Sequence, residues 1–367
     1  MAQPAARLTV LSVAYPLAPV GPDTVGGSEQ LLSGLDRALV AAGHRSVVIA
    51  CAGSTVAGEL LAIQRVPPAI DEPALALRQA AIRARIAEAL RTIAIDVIHL
   101  HGLDFAAYLP PPGPPALATL HLPPDWYPEP ALHPGRPDTW LNCVSASQDR
   151  ALRGRLGTPP PRLLPPIANG VPVATLGSAR LTRRNFALVL GRICPEKAQH
   201  RAIDAASHAH IPLLLAGEVF PYPEHRAYFE SEIEPRLGRT TRLIGAVGFA
   251  RKRRLLAAAR CVLLPSEVAE TSSLVAMEAL ACGTPVVAFA VGALPEIVEH
   301  GRTGFLVRDV AEMAAAMSRA GEIDPDYCRR VARERFALER TAAAYLQLYR
   351  RLASAASAAP RRAAASP

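Results

Sequence analysis

Long uninterrupted apolar runs are missing from this chain, although half of its residues are hydrophobic and only 20% are charged. Without a stretch of about 20 apolar residues there is no candidate for a bilayer-crossing helix. Paired cysteines are absent too: Cys51, Cys143, Cys194, Cys261, Cys282 and Cys328 form no Cys-x-x-Cys pair and follow no regular spacing. That pattern argues against a disulfide framework and suits small core residues in a reducing cytoplasm. Aromatic residues are only 5% of the chain, and no interleaving of aromatics with basic side chains suggests a nucleic-acid surface. No internal repeat is evident. The only Asp-x-Asp, Asp324-Pro325-Asp326, reads as a helix start, so it is not expected to bind metal. The first apolar run is not followed by Gly-x-Gly-x-x-Gly, which disfavours a dinucleotide-dependent dehydrogenase.

What is present points to two α/β domains. At 367 residues the chain exceeds a typical single core. Residues 1–165 read as a first unit, whose opening run Arg7–Pro16 is a strand rather than a signal peptide because of its prolines and its strand pattern. The stretch 158–166, TPPPRLLPP, is too rich in proline for a regular element. Residues 170–337 read as a second βα-alternating unit with a parallel sheet. Leu338–Leu352 is a helical candidate, and residues 353–367 have the composition of a disordered tail. The net charge is +8, and the densest basic cluster, Arg251-Lys252-Arg253-Arg254, reads as a solvated helix face.

Chemistry concentrates between residues 261 and 289. The runs CVLLP (from Cys261) and PVVAF (from Pro285) are short and apolar, consistent with buried strands. Between them Thr271, Ser272 and Ser273 offer hydroxyls for a helix N-cap, Leu274–Cys282 are good helix formers, and Gly283 with Pro285 is a stop signal. A strand-loop-helix unit of this kind aims backbone N–H groups and the positive helix end beyond the strand, where an anion binds. Glu270 falls in the loop before the helix and Glu278 about two turns inside it. Either glutamate could equally be a solvated side chain on an ordinary doubly wound sheet.

This segment resembles the paired-glutamate motif of glycosyltransferase family 4. Other pieces match in the family's order: Gly26-Gly27-Ser28-Glu29 opening a helix, DVIHLHG (Asp96–Gly102), ATLHLPP (Ala118–Pro124), CVSASQ (Cys143–Gln148), IANGV (Ile167–Val171), LVLGRICPEK (Leu188–Lys197), LLLAGE (Leu213–Glu218) and GALPEIVEHGRTGFLV (Gly292–Val307). The resemblance covers residues 7–350. It implies the GT-B fold: two Rossmann-like domains facing across a cleft, with residues 338–352 packing back on the first. It further implies a retaining, hexosyltransferase-type enzyme that uses a nucleoside diphosphate sugar, most often a UDP-sugar, without a metal or other cofactor. The acceptor would be a saccharide, a lipid or a small metabolite. Some relatives dock on anionic membranes, so peripheral contact stays open for an otherwise cytoplasmic protein.

The family pattern also implies roles. Arg192 and Lys197 would contact the departing diphosphate, and Ala198 stands where relatives commonly carry glycine. Glu270 would contact the sugar hydroxyls and Glu278 the ribose. Backbone amides of Thr271, Ser272, Ser273, Leu274 and Val275 would hold the diphosphate and sugar, with Ser273 standing where relatives often have glycine. His121 would lie near the anomeric carbon. Gly26 and Gly27 would let the backbone approach the ligand, although a glycine pair is also an ordinary turn. Glu29, Asp104 and Trp126 are acceptor-side candidates. Trp126 with Tyr127 could be a platform or an anchored loop, and His99 and His101 read as local structural residues. Two other functions stand beside transfer: a GT-B enzyme that epimerises or hydrolyses a nucleotide sugar, and a noncatalytic nucleotide-sugar-binding protein.

Overall fold

The computed structural model describes residues 7–16, 18–24, 26–64, 72–157 and 162–358. Apolar runs bounded by proline, glycine or charge form short strands, most of them buried on both faces, as a parallel sheet covered by helices requires. In the first half, β1 (Thr9–Val13), β2 (Arg45–Cys51), β3 (Glu59–Ile63), β4 (Val97–Leu100), β5 (Ala116–Leu120), β6 (Thr139–Cys143) and β7 (Leu163–Leu164) form a seven-stranded sheet, ordered β3-β2-β1-β4-β5-β6-β7. In the second, β8 (Ala187–Leu190), β9 (Leu213–Ala216), β10 (Thr241–Leu243), β11 (Cys261–Leu264), β12 (Val286–Phe289) and β13 (Gly304–Val307) form a six-stranded sheet, ordered β10-β9-β8-β11-β12-β13. Every strand pairing in both sheets is parallel. This is the two-unit Rossmann-like α/β architecture that the sequence implies.

Strand order reverses beside β1 and beside β8, and ligands of open α/β sheets bind beyond the strand C-termini at such points. The segments that follow these strands meet one another. Phe249 N, after β10, donates to Asp23 Oδ1, after β1, at 2.6 Å. Thr271 Oγ1, after β11, donates to the carbonyl of His121, after β5, at 2.7 Å.

The final helix, Leu338–Ala358, packs on the first unit: Tyr345, Leu348, Tyr349 and Leu352 join Leu31, Leu35 and Leu39 of the helix Gly27–Ala41 in one apolar cluster. Two of its tyrosines reach a buried polar network beneath β4–β6. Tyr349 Oη lies 2.7 Å from His99 Nδ1, whose Nε2 lies 2.7 Å from Thr119 Oγ1. Asn142 Nδ2 donates to Tyr345 Oη at 3.2 Å.

The chain crosses between the units twice, and the two crossings are bonded to each other. Val171 N donates to Phe336 O at 2.8 Å, and Leu338 N donates to Val171 O at 3.0 Å. Gly170 makes this approach possible, because a Cβ there would lie 2.7 Å from Thr341 Oγ1 and 2.9 Å from both Ala337 O and Leu338 Cα.

Two expectations need correcting. Leu163 and Leu164, inside the proline-rich stretch, pair with Leu141 and Asn142 of β6. The stretch adds an edge strand, a position in a sheet where proline is tolerated. Residues 353–358 are helical rather than tail, since alanine readily propagates a helix whose preceding turns are buried. Residues 158–161 and 359–367 lie outside the described residues.

Gly170→Ala should destabilise the protein by about 1–3 kcal/mol through overpacking at the crossing. Urea denaturation of the two proteins checks this.

Candidate functional site

The second unit supplies the cationic wall of the cleft. After β8 the chain turns at Gly191 (φ +140), places the Arg192 guanidinium 5.5 Å from the centre of the Phe220 ring, and makes a short helical turn, Pro195–Lys197. Ala198 then takes φ +46, the left-handed conformation that glycine adopts without strain. Lys197 Nζ is 2.5 Å from Glu270 Oε1, and Ser266 Oγ donates to the same oxygen at 2.5 Å. The glutamate is 9% exposed and the lysine 34%, so the pair sits at the edge of solvent with its cation outermost. Gly292 (φ +56) is needed here because a Cβ would lie 2.3 Å from Glu270 O and 2.4 Å from Glu270 N.

The helix Leu274–Ala281 begins where the hydroxyl pattern predicts. Ser273 is its N-cap, with Oγ accepting from Ala276 N at 3.3 Å. Thr271 is committed to the opposite wall through His121. Leu274 is 3.6 Å from where a Cβ on Gly27 would stand, so the two walls are in close approach there. Val275 packs against the second unit's core. Ser272 Oγ is buried without a hydrogen-bond partner and borders a cavity of about 210 Å³ shared with Val144, Ser145, Met277 and Phe336.

Glu278 faces Lys252, whose Nζ is 2.5 Å from Oε1, with side-chain exposures of 3% and 12%. Burial raises the Glu278 carboxyl above the usual range, and the Lys252 charge opposes that rise. The basic run is therefore only partly solvated. Arg251 and Arg254 are exposed, while Lys252 and Arg253 are turned inward. Lys252 was missed as a site residue because it lies within a charge run. The signal was its helical spacing from Phe249 and Leu256, at i+3 and i+7 on one face, of which Leu256 is fully buried. Ser266 had no comparable signal.

The first unit supplies the anionic and histidine-lined wall. Glu29 folds back over Gly26, where a Cβ would stand 1.8 Å from Glu29 Oε2, and accepts from Ser28 Oγ at 2.9 Å. The glycine thus makes room for the chain's own carboxylate. Burial raises the pKa of Glu29, opposed by its backbone amide, the Ser28 hydroxyl and the Arg192 charge across the cleft.

His121 is more than a strand-end histidine. Its Nε2 is 3.0 Å from His101 Nδ1, and the His101 ring centre lies 3.9 Å from that of His99 with the planes tilted by 43°, extending the tyrosine network to the cleft. Burial lowers all three rings, His99 and His101 well below 6.5 and His121 to about 4, so each is neutral at pH 7. His99 is enclosed between Tyr349 and Thr119, whereas His101 bonds to His121. Asp104 Oδ2 accepts from Gln79 Nε2 at 2.9 Å. Tyr127 is the anchor of its loop: its hydroxyl accepts from His121 N at 2.8 Å and Leu122 N at 3.3 Å, while Trp126 remains 41% exposed. Asp324 accepts from Asp326 N at 2.8 Å as the N-cap of the helix Pro325–Arg335, the helix start expected of it.

Lys252→Met should cost about 3–5 kcal/mol by leaving the Glu278 carboxylate buried and unpaired, whereas Lys252→Met with Glu278→Met should recover most of the loss. Urea unfolding of the single and double variants tests this. Acid should also destabilise the fold. An unfolded histidine titrates near 6.5 and folded His121 near 4, so between these values only the unfolded chain gains the proton. The contribution is fully present above pH 6.5 and falls with acidification by up to about 1.4 kcal/mol per unit for this ring. Denaturation at pH 7.5 and at pH 5 (about one unit above the folded value) measures it, and His121→Gln should flatten the slope.

Known glycosyltransferases match both halves of the chain. A model described as Glycosyltransferase Family 4 matches residues 25–175, and one described as Glycosyl transferases group 1 matches residues 184–322. The chain is 29% identical over 388 aligned positions to a glycogen synthase of Mycobacterium tuberculosis, covering 89% of this chain and 88% of that protein. It superposes on a glycosyltransferase involved in avilamycin A biosynthesis with a TM-score of 0.71 and 27% identity, covering 95% and 98% of the two chains. A sucrose-phosphate synthase from Thermosynechococcus elongatus shares the fold at a TM-score of 0.76 and 22% identity, covering 95% and 100%. Both halves are matched in order by glycosyltransferase models, and the chain is a family 4-like glycosyltransferase of the GT-B fold.

Proposed function

We propose that this glycosyltransferase moves a hexosyl group from a UDP-sugar to an acceptor with retention of anomeric configuration. The observation that supports the reading is the convergence at the N-terminus of the helix Leu274–Ala281. Lys197 is held by Glu270 there, and Arg192 stands on the same wall opposite Glu29. Cations and a helix N-terminus beside a crevice suit a diphosphate.

In the proposed reaction the bond from the anomeric carbon to the diphosphate oxygen breaks as the acceptor oxygen bonds to the same face. The acceptor proton passes to the departing phosphate oxygen, so no enzyme nucleophile is required. Arg192 and Lys197 stabilise the charge that develops on the leaving group, and no metal is assigned to that step. Glu270 orients Lys197 and contacts sugar hydroxyls, Glu278 contacts the ribose, and the neutral His121 stands near the anomeric carbon. UDP is chosen because uridine diphosphate sugars are the family's commonest donors.

The test is thermal unfolding with UDP, GDP and ADP. UDP at about 100 times its dissociation constant should add about 2.7 kcal/mol, enough to move the midpoint by a few degrees. Arg192→Ala should keep its ligand-free midpoint, and its turnover should fall by about 10²–10³-fold once an acceptor is in hand. No shift with any of the three nucleotides would sink the donor reading, and a shift with GDP or ADP alone would replace UDP.

A further inference from the structure

The segment carrying Arg192 and Lys197 holds a second constellation with different chemistry. Strands β8 and β9 are neighbours, and the chains leaving them stay paired for one more step, Ile193 N donating to Glu218 O at 2.9 Å. Cys194 follows immediately, Glu196 lies in the next turn, and His225 comes from the helix Pro223–Tyr228 that follows β9. The Cys194 Sγ, a Glu196 carboxylate oxygen and a His225 ring nitrogen all lie within 4.8 Å of one another. Among the described residues, no other cluster of histidine, cysteine and carboxylate side chains is gathered this closely.

Two of these three side chains present under-satisfied buried atoms. His225 is 7% exposed, and its Nδ1 has no hydrogen-bond partner; Glu196 Oε2 is likewise buried, and the side chain's neighbour there is the Cys194 thiol. Buried polar atoms are satisfied in the great majority of cases, and two under-satisfied atoms converging beside a fully buried thiol point to something between them. Thiolate, imidazole and carboxylate together are the donor set of a zinc-type ion. Bond lengths of about 2.0–2.3 Å would put tetrahedral ligand atoms about 3.5 Å apart, so small rotations of Glu196 and His225 close the site.

We propose that Cys194, Glu196 and His225 bind one divalent ion of the zinc type, bracing the Arg192–Lys197 segment against the helix Pro223–Tyr228. Cys194 binds as thiolate, its proton leaving to solvent, and His225 binds neutral. The thiolate and carboxylate charges balance that of the ion. Phe220 continues the brace: its ring lies under the Arg192 guanidinium and 6.5 Å from the His225 ring. The ion orders the loop on which both cations stand and takes no part in bond breaking. The cysteine spacing does not show the site, because its ligands come from two separate βα connections.

The experiment is a Co²⁺ titration of the full chain after chelator treatment and removal of the chelator. Wild-type protein should bind one equivalent, with a thiolate-to-cobalt charge-transfer band in the near ultraviolet and visible absorption of tetrahedral cobalt, both abolished by added Zn²⁺. Cys194→Ser should lose the charge-transfer band, and Cys328→Ser should keep it. His225→Gln should weaken Co²⁺ binding by at least about 10-fold, the loss seen even for outer partners of a metal. No band in the wild type, as expected if a bridging water satisfies these atoms, overturns the proposal. So does a band that survives Cys194→Ser. If Cys194→Ser fails to fold, unchanged affinity in His225→Gln overturns it independently.

Discussion

Tyr345 and Tyr349 carry hydroxyls into a core that offers few partners, and the geometry of the cleft depends on their finding His99, Thr119 and Asn142 there. The helix bearing them belongs in sequence to the second unit and in space to the first. An unpaired buried hydroxyl is costly, so this helix has essentially one seat. Seating it fixes where the second sheet begins relative to the first. The same network runs through His99 and His101 to His121, so the histidine at the cleft is tied to the element joining the halves. Neutrality of the three rings is part of that arrangement, since a proton on any of them would be a buried charge.

The two lysine–glutamate pairs in the second unit look alike on paper and differ in consequence. Lys197–Glu270 lies at the solvent edge, where water screens the pair and an arriving anion can compete for the lysine. Lys252–Glu278 is enclosed, its worth set by the cost of separating two buried charges. The outer pair is suited to exchanging partners and the inner one to keeping them. Among the described residues no helix is long and apolar enough to cross a membrane.

Much of the fold was legible because parallel strands buried on both faces leave continuous apolar runs, as in CVLLP and PVVAF. The start of the helix at Leu274 was legible because Ser273 is a strong cap at the right place. Contacts between side chains and the groups they fold against were not legible. Nothing in the order of residues says that Thr271 reaches the His121 carbonyl, that Glu29 fills the space above Gly26, or that Lys252 turns inward. Leu163-Leu164 escaped notice because two residues carry no periodicity. The alanines after Leu352 were misread because low complexity and high helix propensity coincide in that residue.

Joining Val171 to the residues around Ala337 makes the two crossings a single ribbon. A pair of free linkers would let the units slide, splay or twist, whereas crossings pinned together at Val171 pass torque between them. The motion they leave soft is rotation about an axis through the ribbon. In such a rotation displacement grows with distance from the axis, so the contacts that part furthest are the remote ones at the cleft mouth, and groups beside the ribbon barely move.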